Sequence, residues 1–185
     1  MSVDRWPRAF TIARVRAIEI TLNWRWVPVL LLATFLLAQN VLPARFPRWE
    51  VGTTWLTSAA VVLAGELALL LHELSHALVV RSRGLEVTRI IFHGFRAETI
   101  TAEGLLAPGQ EAFAALVGPA MNLALAGLTE AIRLSFATRG PVDVALLLLT
   151  LGNAAMAAMS LLPVGGSDGG RALSALRRSR SSGCP

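Results

Sequence analysis

Four long apolar runs decide what this chain can fold into. They cover about residues 24–42 (WRWVPVLLLATFLLAQNVL), 53–80, 111–137 and 142–163. A helix needs roughly 20 apolar residues to cross a hydrocarbon core. Inside lipid every backbone polar group must be satisfied within the protein, and a helix does this within one segment. The reading is a mainly α, polytopic membrane helix bundle with about four transmembrane helices. The second run is long, with 28 residues spanning about 42 Å, so it tilts or projects beyond the bilayer. Composition agrees. Hydrophobic residues make up 54% and charged residues 16%, against about 25% charged in an ordinary soluble domain.

The remaining segments are short. Residues 10–22 (FTIARVRAIEITL) alternate apolar and charged side chains, as a half-buried strand does. Residues 85–101 (LEVTRIIFHGFRAETIT) are rich in β-branched residues around Gly94 and read as a strand or hairpin. Together they make a small β element at the membrane surface. The N-terminus lacks the apolar core of a signal peptide. The one cysteine, Cys184, allows no disulfide framework or cysteine-based metal site.

All 17 basic residues are arginine, and the net charge is +5. No arginine–aromatic platform accompanies them, so no nucleic-acid partner is expected. Basic loops flanking apolar helices account for the charge. Twelve arginines lie in the N-terminal stretch, the loop after the second run and the C-terminal stretch, against four in the other two loops. That bias predicts a multi-pass protein of the cell membrane with both termini in the cytoplasm.

Within the second run stands "LLLHELSHALVV", residues 69–80. His72, Glu73 and His76 form H-E-x-x-H. Residues at i and i+4 share a helical face. Two imidazoles at that spacing can grip one Zn2+, and the glutamate between them can act as general base of a metalloprotease. The bland alternative is a buried histidine pair packing a bundle. It is weak in lipid, where ionisable groups cost about 2.5–3.5 kcal/mol for Asp at a helix centre. A catalytic zinc takes three protein ligands and keeps one open position. His93 is one candidate for the third. Asp168, in "LLPVGGSDGGRAL", is the better one, because the charge rule places it on the same side as the histidine pair. Alone, Asp168 reads equally well as a glycine-flanked turn or helix cap.

Three motifs in order resemble the site-2 protease family, the zinc metalloproteases that cut within membranes. They are "HELSH", then "ALVGPAMNLALAG" with Gly118, Pro119 and Asn122, then "NAAMAAMSLLPVGGSDGGR". The likeness covers roughly residues 10–175. It implies one membrane-embedded metalloprotease domain over 1–175 and one Zn2+ per chain, while residues 176–185 read from their composition as a disordered basic tail. By resemblance His72, His76 and Asp168 hold the metal, and Glu73 is catalytic. The implied partners are the lipid bilayer and a membrane-spanning protein substrate, cleaved in or near its transmembrane segment. An unwound substrate suits strand addition at residues 87–92. Asn122 and Asn153 are candidates for bonding substrate backbone, or equally for packing helices.

The departures define the rivals. Ser160 stands where the family pattern has an asparagine, and Gly165, Gly166 and Ser167 precede Asp168. These predict a more flexible loop around the third ligand. Many family members also continue into further helices, so a minimal enzyme, a truncated product or a frameshifted gene model is expected here. A pseudoprotease that binds membrane partners is the first rival. A zinc transporter is the second, and it would need a continuous polar path. Glu66, seven residues before Glu73, lies on nearly the same helical face and receives no catalytic role. Neither a substrate identity nor an oligomeric state follows from the sequence.

Overall fold

The computed structural model describes residues 9–92, 97–101 and 106–181. Four helices are long and apolar enough to cross a membrane: α1 (Trp26–Arg45), α2 (Val51–Ser82), α3 (Pro108–Ser135) and α4 (Gly140–Leu161). A π-helical turn, Leu37–Val41, interrupts α1. Proline in the first turn starts α3 and α4, where its missing N–H costs nothing. Gly84, at φ 88°, follows the end of α2, a position that favours glycine. Thr129 of α3 and Thr150 of α4 share a hydrogen bond at 2.8 Å. At the turn between those helices Arg133 binds Glu130 at 2.7 Å and Asp143 at 3.3 Å.

The β element is a four-stranded sheet: β1 (Ala9–Val15), β2 (Ile18–Asn23), β3 (Val87–Phe92) and β4 (Ala97–Thr101), in that order. β2 and β3 are parallel; the other pairs are antiparallel. Residues 10–22, which alternate like one strand, are a hairpin. Arg16 and Ala17 turn the chain with φ of 47° and 66°, the positive pair a tight two-residue turn demands. Neither residue is the Gly or Asn that announces such a turn. Instead the Arg81 guanidinium, in the last turn of α2, donates to the Arg16 carbonyl. On the sheet's charged face, Glu19 binds Arg14 at 2.7 Å and Arg89 at 2.9 Å. Arg89, then Arg14, holds the Glu19 carboxyl below the usual glutamate range.

The sheet's apolar face covers the end of α2. Ile18, Ile20, Val87, Ile90 and Phe92 pack with Leu69, Ala77 and Val80 of α2 and Ala114 of α3. β3 is therefore an interior strand, paired on both sides. It cannot accept an added strand, contrary to the expectation for residues 87–92. Among the described residues the free edge nearest α2 is that of β4.

The C-terminal stretch also differs from expectation. Disorder was expected from residue 176, but α5 runs from Asp168 to Ser181. Ala172 and Ala175 are buried against Ala112 and Ala115 of α3, small residues that let two helices approach closely. Arg178 pairs with Glu111. Residues 182–185 lie outside the described residues, as does His93.

Candidate metal centre

His72 and His76 are buried on one face of α2. Their Nε2 atoms lie 3.2 Å apart. Asp168, the first residue of α5, places Oδ2 3.3 Å from each of them. The three ligand atoms thus form a nearly equilateral triangle. Zinc–ligand bonds of about 2.0–2.1 Å put tetrahedral neighbours roughly 3.3–3.4 Å apart, so the triangle has the size of one face of a zinc tetrahedron.

Hydrogen bonding explains why these atoms converge. His76 Nδ1 lies 2.7 Å from the Ala114 carbonyl, which can only accept, so that nitrogen carries the proton. His72 Nδ1 lies 3.2 Å from Asn122 Oδ1, which fixes the same tautomer. Both Nε2 atoms then offer lone pairs toward each other and toward a carboxylate. A cation among the three satisfies all of them at once. Burial works to raise the Asp168 carboxyl, but contact with His72 and then His76 outweighs it and holds the group below the usual aspartate range.

α3 passes close against the histidine pair at a glycine. A Cβ on Gly118 would fall 2.2 Å from His76 Nε2 and 2.7 Å from His72 Nε2. Both distances, and 2.6 Å to His76 Cε1, lie far inside van der Waals contact, so a side chain there would displace the two imidazoles.

The loop that delivers Asp168 is held tightly. Ser167 Oγ accepts from the Gly170 backbone N–H at 3.0 Å, capping α5. The same hydroxyl lies 2.8 Å from the Val164 carbonyl. A Cβ on Gly169 would fall 2.1 Å from the Leu161 carbonyl oxygen, and one on Gly170 would fall 2.0 Å from that of Val164. The two glycines permit this close turn, and Gly166 takes φ 84°. The loop is compact, not the loose one its glycine content predicts.

No family model matches the chain. Relatives do. Two carry "zinc metalloprotease" in their names: sll0528 of Synechocystis sp., 31% identical over 86% of this chain, and Rip3 of Mycobacterium tuberculosis, 30% identical over 88% of it. The chain spans only about two fifths of their length, 41% and 42%. Among solved structures, the site-2 protease of Methanocaldococcus jannaschii superposes with a TM-score of 0.64 at 17% identity. That match covers 93% of this chain and 73% of the other. The chain is thus similar to relatives named as zinc metalloproteases and shares the fold of that site-2 protease. The chain's four apolar helices make it a multi-pass membrane protein.

A cleft of about 680 Å3 opens between α2 and α4. It runs from Val61 past Glu66 to His72, Glu73 and Asp168, with Asn153, Met156 and Ser160 on the opposite side. Glu73 accepts a hydrogen bond from Thr99 of β4 at 3.0 Å through Oε2. The two asparagines separate here. Asn122 is fully buried, bonded to His72, and does not line the cleft. Asn153 does line it. Its Nδ2 donates to the Leu149 carbonyl at 2.8 Å, and its buried Oδ1 has no partner among the described residues. Sequence reasoning missed Gly118 as a spacer, Thr99 and the Ala114 carbonyl. Gly118 sits in a quoted motif, so a signal existed. A backbone carbonyl leaves none.

Proposed function

We propose that this chain is the catalytic core of a zinc endopeptidase that hydrolyses peptide bonds in or near transmembrane segments of membrane proteins. The observation that carries this reading is the convergence of His72, His76 and Asp168 beside Glu73, at the end of a cleft between apolar helices. His72, His76 and Asp168 would hold the zinc. When bound, zinc supplies Lewis acidity that acidifies water and polarises a peptide carbonyl. Glu73 takes the proton of the attacking water and returns it to the leaving amine. Thr99 holds Glu73 Oε2, so Oε1 is left for that proton. The free edge of β4 pairs with an unwound substrate segment. Asn153 Oδ1 accepts from a substrate backbone N–H. The arginine bias puts this end of the bundle, and both termini, in the cytoplasm.

The test is co-expression with a tagged single-span substrate, beside Glu73→Gln. Cleavage by the parent and none by Glu73→Gln is expected. Intact substrate in both, with zinc bound, overturns the protease reading and favours the pseudoprotease, to which Ser160 in the cleft lends support. Cysteine labelling between β2 and α1 and between β3 and β4 tests orientation; reaction from outside the cell overturns it.

A further inference from the structure

Glu66 is the single acidic residue between Glu50 and Glu73 on α2, in the otherwise apolar run VVLAGELALLL. Its Oε2 accepts from the Trp26 indole N–H at 2.9 Å. That bond ties the first residue of α1 to the middle of α2. Oε1 has no hydrogen-bond partner, and Glu66 makes no ion pair, among the described residues. The residue is half-buried and lines the same cleft as Glu73 and Asp168. Around it the cleft is roomy. A Cβ on Gly65 of α2 or Gly152 of α4 would meet nothing within 4 Å, and the lining beside it includes the apolar Val62, Leu148 and Leu149.

A carboxylate on an apolar wall is costly unless something donates to it. A tether to Trp26 alone would need only a neutral acceptor. We propose that Glu66 is a specificity-determining residue: it accepts a hydrogen bond or ion pair from a donor side chain, arginine, lysine or an amide, on the peptide lying in the α2–α4 cleft. This rests on the reading that the cleft takes a peptide substrate. The spacing sets a register. Seven residues separate Glu66 from Glu73, about 10 Å along the helix axis. An extended peptide covers that in about three residues, a helical one in about seven. The preferred donor therefore stands at the third or the seventh residue from the scissile bond, on the side away from the sheet.

The test measures binding, so that it does not depend on cleavage. Single-span peptides with arginine or glutamine scanned at the second to eighth positions, beside an all-leucine peptide, are titrated in detergent micelles against the zinc-loaded chain carrying Glu73→Gln. The expected result is about tenfold tighter binding of one donor register over leucine, and loss of that ratio when Glu66→Leu is added. No register preference, or a preference that survives Glu66→Leu, overturns the proposal. If Glu66→Leu lowers bound zinc or the melting temperature, Glu66→Gln replaces it. It keeps an acceptor for Trp26, and its arginine preference should fall several-fold toward that of glutamine; an unchanged arginine preference overturns the proposal. The binding ratio together with no cleavage by the parent chain, Glu73 intact, would sink the protease reading and leave this one standing.

Discussion

His72 and His76 meet Asp168 at one point, but the two sides of the site are held by different physics. The histidines ride on one continuous helix of 32 residues, and their i, i+4 spacing pairs them without any loop. Their orientation is then locked by α3, through Asn122 and the Ala114 carbonyl. Asp168 arrives from a turn between two helices. It depends on a Ser167 cap, on two glycines pressed against carbonyls, and on an alanine interface that seats α5 against α3. The contrast teaches that α3 is the common reference. It orients the histidines, seats the helix that carries the aspartate, and leaves the gap at Gly118.

Breaking that reference should have the largest effect. Gly118→Ala drives a methyl into both imidazoles, so bound zinc should fall from about one per chain to under about a tenth by elemental analysis. Gly127→Ala on the same helix, whose Cβ meets nothing within 4 Å, should leave zinc unchanged. Equal zinc in both would remove Gly118 from the account. Next is the histidine side. Asn122→Ala frees the His72 ring and should weaken zinc about 10–100-fold in chelator competition; parent-like affinity would show that the helix alone orients His72.

Thr99→Val leaves the metal ligands untouched and should lower turnover about tenfold through a misaligned Glu73. KM and zinc content should hold, and Thr99→Ser should restore the rate. A serine variant as slow as the valine one would mean the methyl packs and the hydroxyl does nothing. The smallest effect belongs to the aspartate side. Ser167→Ala removes a cap worth about 1 kcal/mol, so zinc affinity should drop about fivefold with the fold intact. A hundredfold loss would mean that the loop, not α3, is the weaker support of the site.

Much of this site is legible along the chain because its first half is local. H-E-x-x-H is a statement about one helix, and a helix repeats regardless of what surrounds it. Asp168 is legible for another reason: connections between consecutive helices alternate sides, and the arginine bias marks which loops share one. The β4 edge is illegible in the same stretch that predicts a strand or hairpin. Residues 85–101 announce a strand or hairpin, but nothing in them says that β2 will lie parallel to β3 and make it interior. Ser167 likewise looks like one more small residue of a flexible loop until α5 exists for it to cap.

The sequence by itself determined four bilayer-length helices, the histidine pair with its glutamate, and the side on which Asp168 lies. Each follows from a periodicity, a length or a charge bias that acts within a few turns of chain. Only the tertiary structure decided that β4 faces Glu73, that Asn122 supports His72 instead of lining the cleft, that Gly118 leaves space for the two imidazoles, and that Glu66 shares that cleft. Those are contacts between elements far apart in sequence, set by which faces pack, and packing is a property of the whole bundle.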